Sequence, residues 1–508
     1  MKSDARNPKS ERSPKSEIRS RIRKTLRVLN FRTSGFGFLS DFGFRISELL
    51  VPRLALAVGA VLTLAGCSGL WTEGEKAARK DFQTVTDLYR TNHQRPDLPV
   101  LTADCGLSNF LRFAILNRPQ VEAAYYDWMA SIERITVDRS LPDPQFTFQT
   151  FNASTLVSSV MPGLLMQFPG PTKLGARADV SAAESRGKYF AFETEVLRAA
   201  FEVKTSCYSL KELDQKIRID NETLRLLANL ESLARSQNEV GKATLQDVLR
   251  AQIEHDRLNT DLANLEASRA SLLARFKAAL GLRAAQPEPP VPTQIESTPL
   301  DLDPGQLLTT AFAQNPKLKA MESDVHMAEA GIRVARKDRI PDFSAGLSAD
   351  LKAEPVMWNP QFSMTLPIWR DKLAAEVAAA QAAKSAAESR LTAEQIQTAV
   401  DLAEKVYMAD EAGRNLALLR EQLLPKAQQS LALAQAGYPS GTIDFFNLID
   451  AQRTLLGFEL EEVSATTQRE TALAELSLLI AGVPPPGAPV LAAGSAVAGT
   501  LSSNPGKP

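Results

Sequence analysis

Phe343-Ser344-Ala345-Gly346-Leu347-Ser348-Ala349-Asp350-Leu351 alternates larger apolar or alanine residues with small or polar ones at every position. A period of two with one apolar face is the pattern of a half-buried strand. The return segment Gln361-Phe362-Ser363-Met364-Thr365-Leu366 alternates in the same way, so the two read as a hairpin. An earlier pair repeats the pattern. Phe146 and Phe148 stand against Thr147 and Gln149, and Leu164, Met166 and Phe168 stand against Leu165 and Gln167. Each segment is close to the roughly 9–11 residues that a tilted strand needs to cross a bilayer. Apolar-out, polar-in alternation fits a membrane barrel with a wet lumen. A soluble hairpin packed on a helix would alternate identically. Four strands cannot close a barrel, and lipid does not tolerate an open edge. If these strands span, the chain must oligomerise.

The strand pairs sit at matching places in a unit written twice, and repeats take precedence over local pattern. Asn117-Arg118-Pro119-Gln120-Val121 matches Gln314-Asn315-Pro316-Lys317-Leu318, and Leu141-Pro142-Asp143 matches Ile340-Pro341-Asp342. Phe168-Pro169 matches Leu366-Pro367, Lys173-Leu174 matches Lys372-Leu373, and Gly241 matches Gly441. Ala251-Gln252 matches Ala451-Gln452, and Leu280-Gly281 matches Ala481-Gly482. A nearly constant offset over so long an ordered series marks a tandem duplication. The joint between copies, residues 285–300, opens with four prolines between Pro287 and Pro292 and reads as a stiff linker. The expected organisation is a first repeat at 105–284 and a second at 301–483. Strands fall near 142–168 and 341–367, and helical hairpins near 173–282 and 370–482. The Pro/Gly/Ala-rich tail, 484–508, lacks core periodicity.

Helices fill the remainder. No Pro occurs from Thr172 to Gln286, and neither Gly nor Pro from Lys188 to Val240. A helix from about Lys173 to Gln237 would be on the order of 100 Å long. Leu210, Leu213, Ile217, Leu224, Leu227 and Leu230 form an apolar stripe, resumed after Gly241 through Leu258, Leu262, Leu265, Leu272, Phe276 and Leu280. Spacings of three, four and seven indicate helices packed laterally on one another.

At the N-terminus, Arg53 precedes the run Leu54 to Gly66, too short to span and of signal-peptide length. It ends Leu64-Ala65-Gly66-Cys67, which resembles a bacterial lipobox. Cleavage would leave Cys67 as the acylated first residue, with 1–66 removed and 67–104 serving as anchor and linker. Each buried methylene is worth roughly 0.8 kcal/mol, so several chains anchor firmly. Ser68, rather than Asp, fits export to the outer membrane.

Chemistry is not indicated. The formal net charge is -1, and beyond the basic residues 1–53 the chain is mildly acidic, giving no reason to expect nucleic acid. His93, His255 and His326 lack metal-ligand spacing. No nucleophile elbow, P-loop or dinucleotide fingerprint occurs. Cys105 and Cys207 either pair in an oxidising compartment or are unreactive thiols. The only attached group expected is lipid on Cys67, and no enzyme activity is expected.

Lipobox, tandem repeat, paired short strands and paired long helices together resemble the outer-membrane efflux family typified by TolC. The hairpin region from Asn152 to Gly175, ending Gln167-Phe168-Pro169-Gly170-Pro171-Thr172-Lys173, looks like its lipoprotein branch. The resemblance covers roughly Cys105 to Val483. It implies a mostly α protomer with a small transmembrane β portion, assembled as a homotrimer. Twelve strands would form an outer-membrane barrel, continued by a long periplasmic α-helical barrel. The implied function is a passive exit duct of a tripartite efflux or type I secretion system, with an adaptor (membrane fusion) protein and an inner-membrane pump as partners. The turns Asn238–Leu249 and Tyr438–Asp450 correspond to the family's periplasmic tips. Their implied adaptor contacts are Val240, Gly241, Leu245, Ser440, Gly441 and Phe445. Acidic side chains past the second turn narrow the tunnel entrance in the family. Asp450 matches one of these, Asn447 replaces another, and Asp247 is the first-copy counterpart. A lipid-anchored coiled-coil scaffold without a pore would share the helices and lipobox but not the repeated strand pairs.

Overall fold

The computed structural model describes residues 71–90, 96–153, 156–292 and 304–480, all within the unit Cys67–Pro508. Cys67 and the signal segment, His93, most of the linker after 292, Gly482 and the tail lie outside the described residues.

Thr72 caps the first helix of the described residues, α1 (Glu73–Tyr89), by accepting from the Glu75 amide at 3.2 Å. Next come α2 (Leu107–Asn117) and α3 (Pro119–Arg139), the latter with proline in its first turn, where a missing N–H costs nothing. The first hairpin follows, β1 (Gln145–Ala153) and β2 (Leu156–Phe168), then α4 (Lys173–Glu239) and α5 (Leu245–Ala279). The second copy repeats that order with α6 (Pro304–Gln314), α7 (Pro316–Lys337), β3 (Phe343–Asp350), β4 (Met357–Met364), α8 (Arg370–Leu418), α9 (Leu424–Ser440) and α10 (Phe445–Leu479).

The 67-residue α4 is unbroken, on the order of 100 Å. Its counterpart is interrupted between α8 and α9 by a π-turn, Leu419–Leu423. Pro425, which cannot donate to the residue four before it, stands just beyond. A widened turn is how a helix absorbs that missing bond. Nothing in the first copy calls for it, so the two hairpins differ here.

All four strands join one antiparallel sheet in chain order, β1-β2-β3-β4. Phe146 faces Leu164, Leu164 faces Leu347, and Leu347 faces Pro360 across the sheet. Two residues along, Met166, Ala345 and Phe362 form the next row, and Phe168, Phe343 and Met364 the one after. The other face carries Gln145, Thr147, Gln167, Ser344, Ser348, Gln361 and Ser363. A slip of one residue in any strand would reverse its faces. The one shift lies at the far end of the first hairpin, between Phe151 and Asn152, and before it the register is unbroken, so a continuous apolar face stands opposite a polar one. That apolar face is uncovered: Phe146 is 72%, Phe362 82% and Leu347 47% exposed. A soluble hairpin packed on a helix would bury these groups.

The helices leave a similar signature. Most of the predicted stripe is buried, with Leu210, Leu213, Leu227 and Leu230 each below 5% exposed. Yet α8 buries only Ala387, Thr398, Leu402, Ala412 and Leu416 along 49 residues, while Ile396, Val400 and Tyr407 stand exposed. Among the described residues, no helix is long and apolar enough to cross a membrane.

Candidate functional site

The far ends of the two helical hairpins form one tip. Each reversal turns on a glycine in the left-handed region, Gly241 at φ 73° and Gly441 at φ 76°. A side chain there would be strained, whereas glycine is not. Lys242 N donates back to the Gln237 carbonyl at 2.8 Å, and Thr442 N to the Gly437 carbonyl at 3.1 Å, closing both helix ends. Both following helices start with a side-chain cap. The Thr244 hydroxyl accepts from the Asp247 amide at 3.3 Å, and Asp247 accepts from the Thr244 amide at 2.9 Å. Asp444 accepts from the Asn447 amide at 2.8 Å.

Beneath the turns the hairpins share one core. Leu227, Leu230, Ala234, Val248 and Ala251 from the first pack with Leu431, Tyr438, Phe445, Leu448 and Ile449 from the second. The structure brings the anticipated residues together here, in unequal roles. Val240 and Leu245 are 66% and 64% exposed, and Ser440 and Gly441 are exposed beside them. Phe445, expected at the contact surface, is 2% exposed, its ring 5.3 Å from that of Tyr438. Its spacing from Leu448 and Ile449 sets it on the helix's inner stripe. The outward aromatic is Phe446, with the Arg250 guanidinium 5.5 Å above its ring.

Asp450 and Asn447 are exposed on the first turns of α10. Asp247 is half-buried and already engaged in its capping box. Burial, together with the Asp247 charge, pushes the Tyr438 phenol above its usual range. Replacing Asp247 by alanine removes one half of that box. The expected cost is about 1 kcal/mol at the start of α5, seen as faster amide exchange over 245–248 with the rest unchanged.

One contact escaped the sequence reading. Arg453 Nε donates to Glu254 at 2.9 Å, joining α10 to α5 about two turns behind the tip. The Glu254 hydrogen bond, and with it the Asp450 charge, holds the Arg453 guanidinium still more firmly protonated. Glu254 and Arg453 stand at matching levels of the two repeats, and opposite charge at matched levels was the available signal.

A recess lies midway along the helices, lined by residues of both signs including Lys211, Arg218, Glu222, Arg420, Glu459 and Glu462. Burial, reinforced by Glu222 and Glu462, pushes the Glu459 carboxyl up. Cys105 and Cys207 are separate free thiols. Burial pushes Cys207 to about 12, and the Thr102 hydroxyl 3.1 Å from Cys105 lowers that thiol. Among the described residues no group of three His, Cys, Asp or Glu side chains could hold a metal.

A duplicated strand pair with an uncovered apolar face, carried on long hairpins that end in one tip, defines a protomer of an outer-membrane channel. The chain belongs to the outer membrane efflux protein family, whose model matches residues 111–282 and 307–482. It is 22% identical over 454 residues to the probable outer membrane lipoprotein SilC of Salmonella typhimurium, covering 82% of this chain and 95% of that protein. It is 22% identical over 267 residues to the cobalt-zinc-cadmium resistance protein CzcC of Cupriavidus metallidurans, covering 50% of this chain and 60% of that protein. Its fold matches a crystal structure of a membrane protein from Pseudomonas aeruginosa with a TM-score of 0.65 at 20% identity, covering 76% and 98% of the two chains. The protein is thus an outer-membrane efflux channel component.

Proposed function

We propose that three copies of the chain form a passive exit duct, with twelve strands as the barrel and the helical hairpins as a tunnel through the periplasm. The observation that carries this reading is the sheet: four strands with aligned faces, an exposed apolar side, and two unpaired edges at β1 and β4. Lipid tolerates such a sheet only when it closes on itself. Cys67 would carry the lipid anchor. The tip would receive a periplasmic adaptor through Val240, Leu245 and the turn at Ser440 and Gly441, with Phe446 in place of Phe445. An inner-membrane pump would supply the energy for moving small molecules or ions. Asp450, exposed at the tip, would give the entrance a negative ring.

The test is single-channel conductance in planar bilayers, with mass determination of the same sample. A trimer with discrete steps is expected, and Asp450→Ala should reduce the preference for cations over anions. Steps whose selectivity is unchanged by that substitution would remove Asp450 from the entrance. A monomer that binds lipid and never conducts would overturn the duct and leave a lipid-anchored scaffold.

A further inference from the structure

The seam between the strand pairs of the first and second copies lies inside the chain. β2 pairs with β3, Met166 opposite Ala345 and Leu165 opposite Gly346. Just past these strands, Lys173 Nζ lies 2.8 Å from Asp342 Oδ1, and the Gly170 amide donates to the same oxygen at 2.6 Å. Lys337 Nζ donates to the Thr172 carbonyl at 3.2 Å, and α4 packs along α7 below. The Lys173 side chain is only 6% exposed.

Each group has a counterpart in the other copy. Asp143 and Asp342 stand 199 positions apart, as do Lys173 and Lys372, while Met166 and Met364 stand 198 apart. The same offsets carry the observed pair Phe146–Leu164 of the first hairpin onto Ala345–Phe362, which is the observed pair of the second. The duplication is therefore a symmetry of the sheet's register as well as of the sequence. It leaves one junction unmade within the chain. β1 and β4 are the unpaired ends of the sheet. Asp143 is exposed, and the Lys372 side chain is 70% exposed, with Glu376, at 3.7 Å on its own helix, as its ion-pair partner among the described residues. Identical positions in the repeat thus differ more than tenfold in exposure, because the second copy has no following copy in its own chain.

We infer that Lys372 and Asp143 of the partner subunit form between chains the clasp that Lys173 and Asp342 form within one, and that β4 pairs with the partner subunit's β1 in the register of β2 with β3. That register sets Met364 against the partner's Phe146, Ser363 against the partner's Thr147, Phe362 against the partner's Phe148, and Gln361 against the partner's Gln149. Apolar meets apolar on one face and polar meets polar on the other, which the offsets alone did not guarantee. A one-residue slip would reverse the faces and is excluded by the apolar pattern. A two-residue slip keeps the faces but moves the partners by about 7 Å. The clasp is what selects against that slip, since it would part Lys372 from its carboxylate. The inference rests on the duct reading only in requiring that copies assemble side by side.

The test uses cysteine pairs in the full-length chain. Thr147→Cys with Ser363→Cys places thiols on directly opposed residues, where Cα spacings of about 4.5–5.5 Å suit a disulfide. Thr147→Cys with Gln361→Cys reports the two-residue slip. Mild oxidation should convert the first variant to covalent dimers and trimers on a non-reducing gel, with at least about tenfold less product from the second. Independently, Lys372→Glu should lower the temperature at which the trimer dissociates, and adding Asp143→Lys should restore it. A trimer that crosslinks better through the slipped pair, or whose charge swap restores nothing, would overturn the clasp and register while leaving the duct intact. An unmodified protein that is monomeric by mass would overturn the duct reading and this inference together.

Discussion

Glu75→Ala will destabilise the junction of α1 with α3 by about 3–5 kcal/mol, the largest effect expected of any single charge removal here. Glu75 is fully buried, at 0% exposure. Its carboxylate lies 3.0 Å from Arg79 Nε on its own helix and 2.7 Å from Arg139 Nε at the end of α3. Arg139 is itself 6% exposed along its side chain, so water cannot replace the lost partner. Both guanidiniums also approach the Trp71 ring, at 5.6 and 5.4 Å from its centre. Removing the carboxylate therefore leaves two like charges close to one aromatic ring, with Arg79 still paired to Glu133. The measurement is amide exchange over 73–89 with the apparent melting temperature. Exchange should become faster and the melting temperature lower, with Glu75→Gln about halfway because it retains an acceptor. Glu75→Met with Arg139→Met should lose less than Glu75→Met alone, since a buried pair replaced by apolar groups leaves no orphaned charge. Equal losses would show that packing, not charge, holds α1. This helix begins six residues after Cys67 in sequence, so its hold on α3 is what would transmit a lipid anchor to the body.

Much of this architecture was legible in the sequence because its elements are long and its periods clean. Alternation in Phe343–Leu351 and in its three companions specified faces, and faces specify register once one side is apolar. The absence of Gly and Pro between Lys188 and Val240 left α4 no place to stop before Gly241. Other features depended on which neighbour a side chain meets. Phe445 and Phe446 are adjacent aromatics, and only the phase of the stripe through Leu448, Ile449 and Leu455 separates the buried one from the exposed one. The π-turn at Leu419–Leu423 follows from Pro425, a cue present in the sequence but masked by otherwise strong helical pattern. Glu75 with Arg139 was illegible, because nothing local says that α1 lies along α3. The repeat itself held a subtler ambiguity. Aligning prolines pairs Arg118 with Asn315, yet the side chains that do equivalent work are Asn117 and Asn315. Asn117 Nδ2 donates to the Leu280 carbonyl and Asn315 Nδ2 to the Leu479 carbonyl, both at 2.9 Å. The two copies conserve this contact while shifting its donor by one residue relative to the helix start.

That contact leads to the second large effect, at Gly281. The residue ends α5 with φ at 72°, its amide donating to the Ala278 carbonyl at 2.9 Å and the Leu282 amide to the Lys277 carbonyl at 3.0 Å. This is a left-handed helix terminus, where glycine avoids a steric cost that other residues bear. The close approach is what makes the position severe. A Cβ at Gly281 would lie 2.8 Å from Arg118 Cα and 3.0 Å from the Asn117 carbonyl oxygen, both backbone atoms at the corner between α2 and α3. A flexible side chain could swing aside, whereas a backbone corner must move as a whole. Moving it would stretch the Asn117 bond to Leu280 and disturb Arg118, whose buried guanidinium pairs with Glu202 on α4. It would also loosen the cluster of Phe110, Leu111, Phe276 and Leu280 that the corner covers. Backbone strain of this kind costs of order 1–3 kcal/mol before any clash is counted. Gly281→Ala is therefore expected to lose at least about 2 kcal/mol, and Gly281→Val more, because a branched residue tolerates positive φ still less well. Gly241→Ala is the control: it has nearly the same φ but no atom within 4 Å of its added carbon. It should pay the conformational term alone. Parallel melting of the three variants separates the two causes, and equal losses at Gly281 and Gly241 would show that the corner contact contributes nothing.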